Sequence, residues 1–311
     1  MLSTLPVVLP IFALVLAGWL ARRIGVLGPD ATREINRFVV YLALPALLFD
    51  VLAHTHWAEI WQPGFIAVFG LSSLAVFALT VGIRLRRGLH LADAAIDGLN
   101  AGYANTGFMG FPLALVALGP AALAPTTIAV ILTVCVTFAA AIVLIEIGLQ
   151  RQARRADLVA KVARSLARNP LLVAPCLGAL VPLAGLEVPA SAETILKLLG
   201  GAASPCALVA LGLFLAEERE ADAAQADTTG LLVGLKLVGH PLLAWLLARF
   251  VFDLAPTLLH TAVLMAALPT GTGPFMLAEF YRREAGVTAR VVLVSTVISV
   301  VTVSGYLALK R

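Results

Sequence analysis

Two short segments rich in glycine, proline, hydroxyl and amide groups interrupt long apolar stretches of this chain. The first is Asn-Thr-Gly-Phe-Met-Gly-Phe-Pro at 105–112, and the second is Pro-Thr-Gly-Thr-Gly-Pro at 269–274. Glycine and proline break the helical hydrogen-bond ladder, and lipid cannot solvate the amides and carbonyls that are freed. Such a break is tolerated inside a membrane only where protein or a water-filled cavity surrounds it. A matching pair of breaks in two halves of a chain is typical of a transporter's substrate site.

The chemistry that these breaks predict is the binding of a small anion. Pro112 and Pro274 suit the first turn of a new half-helix, whose free amides would face the gap. Two helix N-termini that face one point create a positive potential without a full positive charge, and Asn or Thr side chains can complete the site for a carboxylate. A pair of simple proline kinks is the alternative. We predict these substrate-binding residues: Asn105, Thr106, Gly107, Pro112, Pro269, Thr270, Gly271, Thr272, Gly273 and Pro274.

Three ionisable residues are further candidates for a coupling site or a counter-charge. Lys236 and His240 lie one helical turn apart in an apolar stretch, where they would suit a titrating site or a partner for an anion. Alternatively, Lys236 extends to the headgroups and His240 bonds a neighbouring helix. Asp50 ends another apolar stretch, and both proton carriage and solvation at the helix end remain open. His54 and His56 lack a third ligand nearby, so we expect no metal site and no cofactor.

The composition predicts an all-α integral membrane protein. Of the 311 residues, 60% are hydrophobic and 13% are charged. Soluble domains are about 45–50% apolar and about 25% charged. The net charge of +4 does not indicate a nucleic-acid partner, because the basic residues lie in short loops between apolar stretches. No constellation of catalytic side chains stands out, so the sequence does not indicate an enzyme.

Apolar stretches of membrane-spanning length predict ten transmembrane helices. They cover 5–21, 34–54, 64–84, 95–118, 124–147, 169–186, 194–216, 230–251, 257–281 and 288–308. Most of the 22 Lys and Arg residues then fall in loops on one side of the membrane. Because cytoplasmic loops carry the excess of basic residues, both termini are predicted to lie outside.

The ten spans predict two five-helix repeats, 1–147 and 169–311, joined by a basic cytoplasmic linker at 148–168. An odd number of spans in each half gives the halves opposite orientations, which is a common transporter design. Ile35-Asn36-Arg37 precedes Pro45 in span 2, and Ile195-Leu196-Lys197 precedes Pro205 at the same spacing in span 7. Coincidence between two leucine-rich helices is the alternative.

The motif at 105–112 resembles the signature of the auxin efflux carrier family, which includes plant auxin carriers and bacterial proteins labelled malonate or auxin carriers. The segment 269–275 and the residues Asn36-Arg37-Phe38 and 44–49 are also similar to that family. The resemblance implies two inverted five-helix repeats with broken, crossing helices 4 and 9. It also implies a scaffold of helices 1, 2, 6 and 7, a transport bundle of helices 3–5 and 8–10, an elevator-type cycle and a homodimer.

The same resemblance places Asn105 where the family binds a substrate carboxylate. Thr270 stands where plant members usually carry Gln, so auxin itself is not implied as the substrate. The expected function is secondary transport of a small organic anion, an auxin-like or malonate-like acid, across the bacterial inner membrane. The alternatives are a sodium- or proton-coupled symporter of the same fold, and a membrane sensor that transports nothing. The expected partners are the substrate, the lipid bilayer and a second copy of the chain.

Overall fold

The computed structural model describes residues 5–54, 61–150, 163–217 and 223–309. Within these residues every regular element is helical, and the extended pairing is limited to one isolated antiparallel bridge between Ala104 and Thr270. Most of the predicted linker 148–168 lies outside the described residues.

The helices follow the apolar stretches of the sequence. In the first part of the chain they are α1 (Leu5–Arg23), α2 (Ala31–Ala53), α3 (Pro63–Arg86), the half-helices α4a (Leu91–Gly102) and α4b (Thr106–Leu118), and α5 (Pro120–Leu149). In the second part they are α6 (Pro170–Leu183), α7 (Ala190–Leu215), α8 (223–251), the half-helices α9a (Pro256–Ala267) and α9b (Gly273–Tyr281), and α10 (Ala285–Leu309).

Six of these helices, namely α2, α3, α5, α7, α8 and α10, are long and apolar enough to cross a membrane. A bilayer's hydrocarbon core of about 30 Å needs about 20 helical residues, and these six have 23 to 30. Their outward faces carry exposed leucine, valine and phenylalanine side chains. The prediction of an all-α integral membrane protein is confirmed.

Prolines inside the long helices are accommodated by a widened turn. Pro45, Pro112 and Pro241 each follow a five-residue π-helical turn that ends two residues earlier. Proline has no amide hydrogen and its ring collides with the carbonyl four residues before it. A π turn relieves that collision without ending the helix. These prolines therefore lie inside continuous helices.

Close helix contacts divide the packing into two groups. Helix α1 packs along α7, and α2 packs on α6 and α7, whereas α4a packs on α3 and α5. Gly212 of α7 faces α1 so closely that a Cβ atom there would lie 2.0 Å from the Val15 carbonyl oxygen. Gly18 of α1 meets Val209 in the same way, at 2.2 Å. Small residues thus let these two backbones touch, as is common between membrane helices.

Ion pairs join the start of α4a to α3 and to the loop before α10. Arg84 donates through Nε to Oδ2 of the fully buried Asp97 at 2.6 Å. Arg283 donates from Nε and Nη2 to the two oxygens of Asp93, at 2.6 Å each. Sequence reasoning assigned no role to Asp97, although it falls inside the predicted span 95–118. Because the helix begins at Leu91, both carboxylates lie on α4a and meet these arginines.

Glu284 extends this cluster and predicts a pH effect on stability. It lies in the loop between α9b and α10, where burial raises its pKa and the Asp93 carboxylate raises it further, while Arg84 and Arg283 act in the opposite direction. A carboxyl group whose pKa is raised on folding makes the folded state less stable as pH rises past its ordinary pKa of about 4.3. Glu284→Gln is therefore expected to raise the melting temperature at pH 7, and the gain should shrink as the pH is lowered towards that ordinary pKa.

The measurement is thermal unfolding of detergent-purified protein across a pH series. Glu187→Gln serves as the control, because Glu187 is exposed in the loop between α6 and α7. A difference between Glu284→Gln and the parent protein that stays constant with pH would contradict the assignment.

Candidate substrate site at the helix breaks

The breaks in α4 and α9 pass each other and pair through their backbones. Asn105 donates its amide hydrogen to the Pro269 carbonyl oxygen at 2.8 Å, and Gly271 donates to the Tyr103 carbonyl oxygen at 3.3 Å. These two bonds flank the antiparallel bridge between Ala104 and Thr270. Each break thus satisfies polar groups that the other leaves free. Protein therefore bonds part of the broken backbone, which is one of the two surroundings in which such a break is tolerated.

Side chains from α4a and α10 hold the crossing in place. The Thr270 hydroxyl donates to the Asn100 carbonyl oxygen at 2.8 Å, and the Thr270 amide donates to Oγ of Ser295 at 3.1 Å. Asn100 in turn donates through Nδ2 to Oγ1 of Thr288 at 2.9 Å. All four side chains are buried. Thr270 therefore anchors the crossing.

The second half-helix of α9 begins where its proline predicts, whereas the second half-helix of α4 begins earlier. Helix α9b starts at Gly273 with Pro274 in its first turn, as expected. Helix α4b, however, starts at Thr106 with a π turn, and Pro112 lies in its second turn. Pro112 therefore lies in the first turn of the α-helical part of α4b, Phe111–Leu118, but it does not open the whole half-helix, because a π turn can precede a proline without a break. The first free amides of α4b accordingly lie beside Asn105.

A cavity of about 320 Å³ lies beside the crossing. Five of the predicted site residues line it: Asn105, Gly107, Gly271, Thr272 and Gly273. The remaining five, Thr106, Pro112, Pro269, Thr270 and Pro274, are not part of its lining. The opposite wall comes mainly from α2 and α7, and includes Leu44, Leu47, Val51, Gly200, Gly201, Ser204 and Pro205. Among the described residues that line it, none has a side chain with a formal charge.

Asn105 lines this cavity with a side-chain amide that is not hydrogen-bonded to any described residue. Its side chain is partly exposed, and no hydrogen bond from that side chain to another described residue is observed. Thr272, which carries a hydroxyl group, lines the same cavity. The helix N-termini at Thr106 and Gly273 flank the crossing, where unpaired amides and the helix dipole favour negative charge. The polar end of the cavity is therefore equipped to bind a small anion without any cationic side chain.

Tyr103 determines how closely the two breaks approach, and sequence reasoning missed it. A Cβ atom on Gly271 would lie 2.7 Å from its Cε1, and one on Gly273 would lie 2.7 Å from its Cζ. The ring packs against Phe138 with centroids 5.8 Å apart and is buried. The sequence feature that could have indicated this role is the position of Tyr103 directly before Ala104-Asn105. A tyrosine at such a position is, however, equally typical of ordinary helix packing. Both glycines are thus needed for contact between the breaks.

A buried row of hydrogen-bonded side chains, which includes Lys236 and His240, lies at the end of α9a. The Lys236 ammonium group donates to the Ala266 carbonyl oxygen at 2.6 Å and lies 3.1 Å from Nδ1 of His240. His240 Nε2 lies 3.1 Å from Oγ of Ser73 on α3. Neither side chain is exposed, so the alternative in which Lys236 reaches the headgroups is wrong. The expected bond from His240 to a neighbouring helix is confirmed.

At this position the Lys236 side chain faces the carbonyl end of α9a. The last carbonyls of α9a have no intrahelical partners, and they form the negative end of its dipole. Lys236 reaches one of these carbonyls but does not line the cavity. Asp50 lies in the last turn of α2, 3.0 Å from Nδ1 of His54, and is likewise absent from the lining.

Lys236→Met is expected to lower transport by about tenfold, the equivalent of about 1.4 kcal/mol. Methionine fills a similar volume, but the end of α9a loses its counter-charge and the Ala266 carbonyl loses its partner. Removing a buried charge also removes its desolvation cost, which offsets part of the lost hydrogen bonding. The melting temperature should therefore stay close to that of the parent protein while the flux falls. The measurement is initial flux in liposomes, with Lys197→Met at the exposed start of α7 as the control. Normal flux in Lys236→Met would show that the charge is not needed.

This chain is similar to known membrane transport proteins along almost its whole length. A family model described as "Membrane transport protein" matches residues 4–307. A protein named "Putative malonate transporter" from Rhizobium meliloti (strain 1021) is 33% identical over 306 residues, covering 98% of this chain and 95% of that protein. A protein named "Uncharacterized transporter" from Methanothermobacter thermautotrophicus is 27% identical over 297 residues, covering 95% of this chain and 94% of that protein.

Plant carriers match over a smaller part of the chain. The "Probable auxin efflux carrier component 5c" of Oryza sativa subsp. japonica is 29% identical over 151 residues, covering 47% of this chain and 40% of that protein. The family match extends over nearly the whole chain and indicates a role in transport rather than catalysis. This chain belongs to the membrane transport protein family, the family of the auxin efflux carriers.

Proposed function

We propose that this protein is a carrier that moves a small organic anion with at least one carboxylate group across the cytoplasmic membrane. The observation that supports this most is the cavity at the crossing of the two breaks, with Asn105 and the start of α4b at its polar end. Ligand pockets typically have volumes of about 300–1,000 Å³, so a cavity of about 320 Å³ suits a small acid.

In this proposal the residues of the breaks have two roles. Asn105 and Thr272 donate side-chain hydrogen bonds to the carboxylate, and the amide of Gly107 adds a backbone donor at the helix start. Gly271 and Gly273 allow the backbones to come close enough for these donors to converge. Thr106, Pro112, Pro269, Thr270 and Pro274 shape the breaks.

The cavity lining favours a substrate with one carboxylate at the crossing and a largely apolar remainder. Leu44, Leu47 and Val51 of α2 form the wall opposite the crossing, and the described lining residues include no cationic side chain that could receive a second carboxylate. One relative is named for malonate and another for auxin. An aromatic monocarboxylate and malonate are therefore the two informative test substrates.

The packing supports alternating access by an elevator-type movement. The cavity lies between α2 and α7 on one side and the crossing of α4 and α9 on the other. We propose that α1, α2, α6 and α7 form a scaffold within a homodimer, and that helices 3–5 and 8–10 carry the site past it. The ten helices would form two inverted repeats, 1–147 and 169–311, with both termini outside. The corresponding positions of the two breaks support this repeat.

The alternative of a proton-coupled symporter is supported by the buried row of hydrogen-bonded side chains formed by Lys236, His240 and Ser73. Lysine and histidine can each exchange a proton, and the lysine contacts the half-helix that leads into the crossing. A proton bound there would change the charge next to the break. In this version the same site moves the same anion together with a proton.

Flux of radiolabelled acids into liposomes containing the purified protein tests the proposal. Uptake of malonate and of an indole carboxylic acid would be compared under an imposed membrane potential, with and without pH and sodium gradients. Uptake that follows the potential alone supports a uniporter, and dependence on a gradient supports coupling. Tight binding without flux would favour the sensor, and the absence of both would contradict an anion site.

A further inference from the structure

A second cavity, of about 410 Å³, lies at the end of α5, where the residues before α6 and the end of α9b meet α2. It shares no lining residue with the cavity at the crossing. Its lining includes Arg164 and Arg168 from the helical segment before α6, Gln150 after α5, Tyr41 of α2 and Phe280 of α9b. The proposed transport mechanism makes no use of this cavity.

The two arginines give this cavity two groups able to bind a phosphate. They lie four residues apart on one short helical segment, and neither forms an ion pair with an acidic residue in the part of the chain that the structure describes. Glu146 lines the same cavity, but its oxygens accept hydrogen bonds from the Ser165 and Tyr281 hydroxyls, each at 2.7 Å. With respect to the described acidic residues the guanidinium donors are therefore available, and their planar fork matches the oxygens of a phosphate.

The remaining walls of the cavity fit a lipid better than a soluble anion. The rings of Tyr41 and Phe280 meet edge to face with centroids 5.8 Å apart, and Tyr41 is 51% exposed on the outer face of α2. An acyl chain could pack on this aromatic surface. Since α5 ends and α6 begins here, the cavity lies at the depth of lipid headgroups, where basic pockets between membrane helices bind anionic lipids.

Gln150 adds a feature that distinguishes one headgroup from another. Its Oε1 atom is buried and has no hydrogen-bond partner among the described residues. A buried acceptor of this kind is costly unless a donor meets it. A headgroup that carries hydroxyl groups beyond its phosphate would supply that donor.

We propose that this cavity binds phosphatidylglycerol, or a lipid of the same headgroup chemistry. Arg164 and Arg168 hold the phosphate, Gln150 accepts from a glycerol hydroxyl, and the Tyr41–Phe280 surface receives an acyl chain. The bound lipid contacts the segment before α6, the end of α5 and α9b together, so it stabilises the arrangement of these elements.

Lipid titration of the detergent-purified full chain, followed by native mass spectrometry, tests this site. The double variant Arg164→Gln/Arg168→Gln should bind phosphatidylglycerol about tenfold more weakly, a change typical of losing charge-assisted bonds. The matched control is Arg86→Gln/Arg87→Gln, which removes two exposed neighbouring arginines at the end of α3 and should bind like the parent. Gel filtration and melting temperature without added lipid verify that each variant is folded.

Three further arms identify the ligand. Phosphatidylcholine should bind more weakly than phosphatidylglycerol, and Gln150→Leu should remove the preference for phosphatidylglycerol over phosphatidic acid, which lacks the headgroup hydroxyls. Inorganic phosphate should give no thermal stabilisation that depends on Arg164 and Arg168. Equal lipid binding by both double variants, or equal stabilisation by inorganic phosphate, would overturn the proposal.

Discussion

Asn105→Ala is expected to weaken binding of the carboxylate substrate by roughly 10- to 100-fold, because a hydrogen bond to a charged group contributes about 1.5–3 kcal/mol. The side chain of Asn105 lines the cavity and makes no observed hydrogen bond to a described residue. Its backbone amide donates to Pro269 across the crossing, and its carbonyl accepts from the Met109 amide in α4b. Alanine keeps those backbone bonds, so the fold should be retained. The measurement is ligand-induced thermal stabilisation, which reports occupancy directly.

A graded series makes this result specific. Asn105→Asp should bind a carboxylate more weakly than Asn105→Ala, because it adds a negative charge to the same wall. The neutral amide of the same acid should lose less affinity in Asn105→Asp than the acid does. Thr127→Val on α5 is the control, since Thr127 bonds only within its own helix and does not line the cavity. Unchanged carboxylate binding in both Asn105 variants would remove Asn105 from the site.

Gly273→Ala is expected to reduce transport by roughly 5- to 150-fold, because overpacking of this kind costs about 1–3 kcal/mol. The added Cβ would lie 2.7 Å from Cζ of Tyr103. That ring is packed on Phe138 and buried, so the strain must separate the two breaks instead. The backbone pairing between Ala104 and Thr270 and the donors beside it would be displaced. Initial flux in liposomes measures the loss.

The steric cause can be separated from a general effect of alanine. Gly82→Ala on α3 is the matched control, because no described atom outside the local helix backbone lies within 4 Å of a Cβ built there. Gly273→Ala should lower the flux less when it is added to Tyr103→Leu than when it is added to the parent protein, since the clashing ring is then gone. Normal transport by Gly273→Ala, or an equal loss of flux in both backgrounds, would show that close contact between the breaks is not what transport requires.

The amino-acid sequence by itself determined the membrane-spanning helices and the two places where they break. Long apolar stretches have few other stable states, because every backbone polar group in lipid must be bonded internally. Glycine and proline at 269–274 then end α9a and begin α9b, and their effect is local. The predicted involvement of Asn105 and Gly271 with the cavity at the crossing follows from the same local signals, because breaks in a membrane are tolerated only beside protein or water.

Only the tertiary structure decided which groups meet at these breaks. Whether Pro112 begins the half-helix or follows a π turn inside it depends on the neighbours that accept the wider turn. Lys236 lies at the end of α9a rather than at the headgroups because the packing of α8 aims it at the Ala266 carbonyl. Tyr103 and Leu44 face one cavity through contacts between helices distant in sequence. Hydropathy measures how well each segment partitions into lipid, but which faces pair depends on side-chain shapes that meet only after the helices pack.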